Sequence, residues 1–284
     1  MYGPRLLARF LSTPGPPDRN GIPWQYNSRS DRHSKVGSWG VGLDLLATSS
    51  LLRTHVAAGK VVLGVNHEMR DFSTGRKKDL DLVFARPQDG GAPLKKKSFK
   101  GLAIDYGLDL LPEEQAALDS LPDVPVAAVG AVLIAMEAKA CMTAHVKALP
   151  RLYDELNSSH QCVHGSSSQA LAIGYVQINV ADSFISSDLN SRHMAKGYPA
   201  EVNHHRQPSD AQRVLDKVAE IPRRSSSRSA GFDAIGVSLF NLRNDGSQVD
   251  LVESPPAPQP GEPFNYAGMI VRMANEYDAT FRSI

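Results

Sequence analysis

Two short acidic segments carry the side chains best able to do chemistry: Asp79-Leu80-Asp81-Leu82-Val83-Phe84 and Val132-Leu133-Ile134-Ala135-Met136-Glu137-Ala138-Lys139. Side chains on an extended strand alternate between its faces, so Glu137 and Lys139 are expected to project the same way, as are Asp79 and Asp81 on their own strand. Pairing of the two strands would bring carboxylates and an ammonium together. A hard cation such as Mg²⁺ prefers carboxylate oxygens and keeps several waters, one of which can attack a phosphodiester. The Lys139 ammonium would stabilise the charge that develops on the phosphoryl oxygens or, with a depressed pKa beside a metal, help to deprotonate the water.

The elements that would have to position these groups can be read from the apolar spacing. Residues 41–58 place Leu43, Leu46, Leu51, Leu52 and Val56 near helical spacing, with Gly59 as a stop. Residues 61–69 and 79–85 read as strands joined through the Ser73-Thr74-Gly75 turn. Residues 124–136 are almost unbroken apolar sequence, as expected of a central strand covered on both faces. Thr143 can cap a helix over 144–156, in which Pro150 predicts a kink or a restart. Residues 170–180 alternate as a further strand. The run 131–149 is also rich in helix formers, and one long helix there would set residues 137 and 139 about 200° apart and form no site. The β-branched Val124, Val126, Val129, Val132 and Ile134 favour the strand.

Asp81 before an apolar strand, and Glu137-Ala138-Lys139 ending another, resemble the PD-(D/E)XK nuclease superfamily over roughly residues 41–182. The resemblance implies an α/β, restriction-endonuclease-like fold: an α-β-β-β-α-β core with a central mixed sheet flanked by helices. It implies a metal held by Asp81, Glu137 and the carbonyl of Ala138, with Mg²⁺ as cofactor and Mn²⁺ as a substitute, and with Asp81, Glu137 and Lys139 as the catalytic set. Leu80 stands where the family carries proline, which leaves Asp79 a rival of Asp81. Glu68 is a further acidic candidate. Asp44 on the first helix receives no role. The implied activity is hydrolysis of DNA phosphodiester bonds, as in a restriction or phage-defence endonuclease. An exonuclease or repair nuclease on the same core, and a catalytically silent DNA-binding module, are the alternatives.

The 284 residues, 42% hydrophobic and 21% charged, suffice for one large domain or for one domain with extensions. Residues 1–40 are expected as an irregular N-terminal wrap anchored by Trp24 and Trp39, residues 41–182 as the core with an insertion at about 87–123, and residues 183–284 as an extension of the same sheet. The net charge is only +1, so affinity for DNA must come from local patches. Candidates are Arg76, Lys77 and Lys78, which lead into the acidic strand, and Lys95, Lys96, Lys97 and Lys100 after it. A homodimer would let one chain serve each strand of a duplex.

No apolar run is long enough for a bilayer, and the first residues hold too short an apolar stretch for a secretory signal, so no membrane association is expected. Cys141 and Cys162 are the only cysteines and suggest free thiols in a cytoplasmic setting. His160-Gln161-Cys162-Val163-His164 lacks the partners of a zinc site and reads as a polar loop. The absence of a phosphate-binding loop or dinucleotide fingerprint argues against an ATP-driven subunit or an oxidoreductase.

Overall fold

A computed structural model describes residues 1–88, 97–226 and 229–284. Among them the helices are α1 (Gly3–Ser12), α2 (Arg32–Thr48), α3 (Ser50–Ala57), α4 (Phe99–Asp105), α5 (Pro112–Ser120), α6 (His145–Ser166), α7 (Ser187–Met194), α8 (Ser209–Ala219) and α9 (Tyr266–Thr280). The strands are β1 (Val62–Arg70), β2 (Lys77–Pro87), β3 (Val129–Cys141), β4 (Leu171–Asn179), β5 (Ser183–Phe184), β6 (Asn203–His204), β7 (Ala234–Asn241) and β8 (Asp250–Val252). One six-stranded sheet has the order β1-β2-β3-β4-β7-β8. Its β3–β4 and β4–β7 pairs are parallel and the others antiparallel. The chain is thus an α/β protein with a central mixed sheet flanked by helices.

Two apolar layers hold the helices to the sheet. Leu43 of α2 and Met269 of α9 pack with Phe84, Ile134 and Ile173 in one. Leu156 of α6 and Val214 of α8 pack with Val83, Ala135 and Val176 in the other. All nine residues of β4 are buried, Gln177 and Asn179 included, so the alternation expected over 170–180 does not mark an exposed face: both faces of this strand are covered.

The expected strand over 124–136 begins at Val129 instead. The residues just before it are used elsewhere: Leu63 N donates to Pro125 O (2.9 Å) and Ala127 N to Leu63 O (3.2 Å). This covers the outer edge of β1, which would otherwise expose unpaired backbone.

The helix expected over 41–58 is two, broken at Ser49, whose extended backbone lets its hydroxyl accept from Leu52 N (3.0 Å) while it donates to Asp278 Oδ1 (2.6 Å). Upstream, α2 reaches back to Arg32 through a glycine-rich stretch of low helix propensity. Burial of Val36, Trp39 and Val41 outweighs that propensity. Residues 1–40 are therefore not an irregular wrap, since they hold α1 and the start of α2. A Cβ on Gly40 would come within 2.7 Å of Gly3 Cα, so the two helices cross at a pair of glycines. Only the stretch between them is irregular, with Trp24 buried; Trp39 stacks on Phe99 with ring centroids 4.9 Å apart.

Helix α6 is unbroken from His145 to Ser166, with Pro150 inside it, and takes in the 160–164 segment expected as loop. Thr143 does not cap it: the helix follows Ala144 in the left-handed region (φ 50°), and Thr143 Oγ1 lies 3.2 Å from His205 Nε2. Beyond residue 183, β7 joins β4 and continues the sheet, as expected, and the Asn244-Asp245-Gly246 turn leads into β8. Among the described residues no helix is long and apolar enough to cross a membrane. Both cysteines are free and buried.

Candidate active site

The site forms where two paired strands part. β2 follows β3 from Pro87↔Val129 to Leu82↔Met136, and the pairing ends there. β3 continues to Cys141 against β4 alone, from Ile134↔Leu171 to Cys141↔Ile178. Into the gap turns Asp81, whose Oδ2 accepts the Ala138 amide at 2.7 Å. A side chain thus replaces the backbone carbonyl that a continuing strand would have offered. Ser38 of α2 donates to the same oxygen at 3.4 Å.

An irregularity in β1 accompanies the split. Asn66 has φ 48°, and the β1–β2 register passes from Val65↔Leu82 to His67↔Leu80 without an Asn66–Asp81 pair. Burial changes phase across it: Leu82 joins Phe84 in the α2 layer, while Leu80 joins Val83 in the α6 layer. Strict alternation therefore fails at Asp81, and Asp79 does not share its setting. Asp79 is exposed, opposite Glu68.

Glu137 and Lys139 do share a face of β3. Lys139 Nζ lies 2.7 Å from Glu137 Oε1 and 3.2 Å from Glu155 Oε2 of α6. Lys78 Nζ approaches Glu137 Oε1 at 3.4 Å, and Arg151 Nε holds Glu155 Oε1 at 2.6 Å. Glu137 is 2% exposed, and its Oε2 has no hydrogen-bond partner among the described residues.

The charges explain the proton affinities. Burial, then the nearby Glu137 charge, pushes the Asp81 carboxyl up to about 6 against the pull of the Ala138 amide, Lys139 and the Ser34 hydroxyl. Burial works against the Lys139 ammonium, but Glu137, Glu155 and Asp81 outweigh it and raise its pKa. Lys139 is thus held charged, which suits charge stabilisation rather than proton abstraction. His33 is pushed down to about 4 by burial and by Lys139, and is neutral at pH 7.

A cleft of about 560 Å³ opens beside these groups, lined among others by Ala138, Lys139, Glu155, His33, Arg29 and Lys147. Its walls come from the N-terminal segment and the first turns of α6. Nothing in the local sequence marks Arg29, His33, Ser34, Ser38, Lys147, Arg151 or Glu155 for this site. None carries a local motif; their shared position arises only when α2 and α6 pack on opposite faces of β3.

The remaining candidates scatter. Glu68 pairs with Lys77 at 2.8 Å on the exposed outer hairpin. Arg76 reaches Gln161 at 3.2 Å. Lys97 is exposed. Lys100 Nζ is tied to Asp119 O at 3.0 Å, at the end of α5. Lys95 and Lys96 lie outside the described residues. Among the described residues of the basic group only Lys78 touches the acidic pair, through Glu137. Asp44, left without a role, is buried and holds α1, accepting from Tyr2 N (2.7 Å), Gly3 N (2.9 Å) and Tyr266 Oη (2.9 Å).

Comparison with family models, curated proteins and solved structures found no match to this chain. A functional reading therefore rests on the site itself.

Among the described residues no group of three or more His, Cys, Asp or Glu side chains is placed to hold a metal ion. Two carboxylates and a backbone carbonyl remain the donor set. It fits a hard cation that keeps most of its waters: Glu137 Oε2 is buried and without a hydrogen-bond partner among the described residues, and the Glu137 charge helps to raise the Asp81 pKa even with Lys139 nearby. In a pleated strand the carbonyl of a residue leaves on the same edge as its amide, so Ala138 O faces the gap that Asp81 enters.

Proposed function

We propose that the protein is a Mg²⁺-dependent deoxyribonuclease of the PD-(D/E)XK type, acting as an endonuclease in restriction or phage defence. The observation that carries the reading is the Asp81–Ala138 contact at the split between β2 and β3. It brings an acidic residue from one strand to the Glu-Ala-Lys segment of its neighbour, beside an open cleft. The element order around it, helix, two antiparallel strands, a third strand, helix and a parallel fourth, supports the same core.

In this reading Asp81, Glu137 and Ala138 O hold the metal, with Mn²⁺ as a substitute, and the ion supplies an activated water and charge neutralisation at the phosphate. Lys139, kept protonated by its carboxylate neighbours, stabilises the negative charge gathering on the phosphoryl oxygens. Arg29, Lys147 and Arg151, at the rim of the cleft, offset repulsion between the DNA backbone and the carboxylates. Burial of Glu137 keeps water from screening these interactions.

The test is cleavage of supercoiled plasmid and of linear duplex with Mg²⁺, Mn²⁺, Ca²⁺ or chelator. Cutting of the closed circle with Mg²⁺ or Mn²⁺, its suppression by Ca²⁺ or chelator, and loss of at least roughly 100-fold in Asp81→Asn, Glu137→Gln and Lys139→Ala are expected. Cutting confined to linear ends would make the protein an exonuclease. Equal cutting in chelator, or none by the wild type in any metal, would remove the metal-nuclease reading.

A further inference from the structure

The turn between β1 and β2 presents a single aromatic ring to solvent. Phe72 is 75% exposed, yet the backbone beneath it is tightly held. Asp71, almost buried, accepts from Ser73 N (2.9 Å), Ser73 Oγ (2.7 Å) and Thr74 Oγ1 (2.5 Å). Its own amide donates to Arg76 O (2.9 Å), and Gly75 N donates to Asp71 O (2.8 Å). The turn is docked on the last turns of α6, through Phe72 N to Gly165 O (3.4 Å) and Arg76 Nη1 to Gln161 Oε1 (3.2 Å). A Cβ on Gly165 would meet Asp71 Oδ1 at 2.4 Å, so this seat requires a glycine.

Basic residues bracket the turn in the chain. Arg70 and Arg76 flank the turn, and neither forms an ion pair among the described residues, while Lys77 is shared only with Glu68. The next residue along β2, Lys78, touches Glu137 of β3 at 3.4 Å, so β2 leads from the turn to the acidic pair. Singly exposed apolar residues are common on protein surfaces and need no function. Ile104, exposed at 83%, is such a case, next to Asp105 rather than among cations. What sets Phe72 apart is a rigid seat and the basic residues Arg70 and Arg76 on either side of its turn. The combination suits a π-face contact with a base whose phosphates lie on the neighbouring guanidinium groups.

We propose that Phe72 is a nucleic-acid contact, its ring stacking on a base of the DNA that the Asp81–Glu137 site engages, with Arg70 and Arg76 on the flanking phosphates. This rests on the nuclease reading and adds to it a point of base contact outside the cleft. A base partly unstacked from its neighbours is the favoured partner, because it offers a free face.

The experiment compares wild type, Phe72→Ala and Phe72→Trp in Ca²⁺, measuring DNA binding by fluorescence anisotropy, intrinsic emission, and plasmid cleavage after transfer to Mg²⁺. Phe72→Ala is expected to weaken binding by roughly 5- to 100-fold, the range for loss of one aromatic–base stack. Phe72→Trp is expected to bind as wild type does, with emission of the introduced indole quenched by DNA. Thermal melts should show all three equally folded, since the ring buries little surface. A Phe72→Ala protein that binds and cuts like wild type, or an indole whose emission ignores DNA, overturns the stacking role and leaves the nuclease reading standing. Wild type that neither binds nor cuts DNA overturns both.

Discussion

The carboxylate of Asp81 occupies the hydrogen-bonding position on the Ala138 amide, at 2.7 Å, where β2 leaves β3. A backbone carbonyl there would have been neutral and would have brought no charge to set against a cation. The exchange places a charge in a partly buried gap beside Glu137, which is unfavourable for folding and favourable for binding a metal.

That cost can be measured. The Asp81 pKa is raised to about 6, so between about pH 4 and 6 the folded state binds more protons than the unfolded one and stability falls as pH rises. Asp81→Asn is expected to flatten this slope and to stabilise the metal-free protein at pH 7 by roughly 1 to 3 kcal/mol. Mg²⁺ should raise the melting temperature of wild type and leave that of the variant unchanged. Melts across pH 4 to 7, with and without Mg²⁺, check both outcomes; a variant less stable at pH 7 would contradict the assignment.

Lys139 and Glu137 form a pair in which the carboxylate is buried. Lys139→Ala is expected to cost roughly 2 to 4 kcal/mol by leaving that charge poorly compensated, with Lys78 at 3.4 Å the remaining cation. Adding Glu137→Gln should restore much of the loss. Urea unfolding of both singles and the double gives the coupling, and an additive double would argue against the pair.

Acid should destabilise the protein through the second half of α6. His160 and His164 are each pushed down to about 4, by burial first and then by the charges of His164 and Arg224 respectively. Each stays neutral in the fold while the unfolded chain protonates near pH 6.5, so the stability is fully present above that pH and is lost as pH falls towards 4. The loss is expected to reach about 3 kcal/mol for one such histidine. His164→Gln should reduce the slope of stability against pH in that window, an effect that runs opposite to that of Asp81.

Asp44 ties the N-terminus of α1 to α2 and α9 through three hydrogen bonds. Asp44→Ala removes the acceptor for two helix-end amides and the Tyr266 hydroxyl, and is expected to cost about 2 to 3 kcal/mol. Tyr266→Phe should cost less. Denaturant midpoints of the two variants check the order.

Much of the core was legible in the residues. The strands after residues 61, 79 and 170 announce themselves through patterns a few residues long, because alternation and turn chemistry are local. The N-terminal helix pair was not legible. Gly37, Gly40 and Gly42 weaken the helix signal of α2, and only packing against α1, α9 and the sheet makes that segment helical. The edge role of residues 124–127 was equally hidden, since an apolar run does not say which strand it will border.

For the candidate site, the sequence by itself determined that Glu137 and Lys139 share a strand face, because a two-residue period follows from the pleat. Only the tertiary structure brings Asp81, rather than Asp79, to the Ala138 amide of β3. The left-handed Asn66 and the parting of β2 from β3 break the alternation at that point, and neither is a property of the acidic segment alone. Likewise Glu155, Arg29 and Lys147 reach the cleft from helices and loops far along the chain. Local pattern sets the direction of a side chain relative to its own backbone, whereas the meeting of side chains depends on how separate backbones pack.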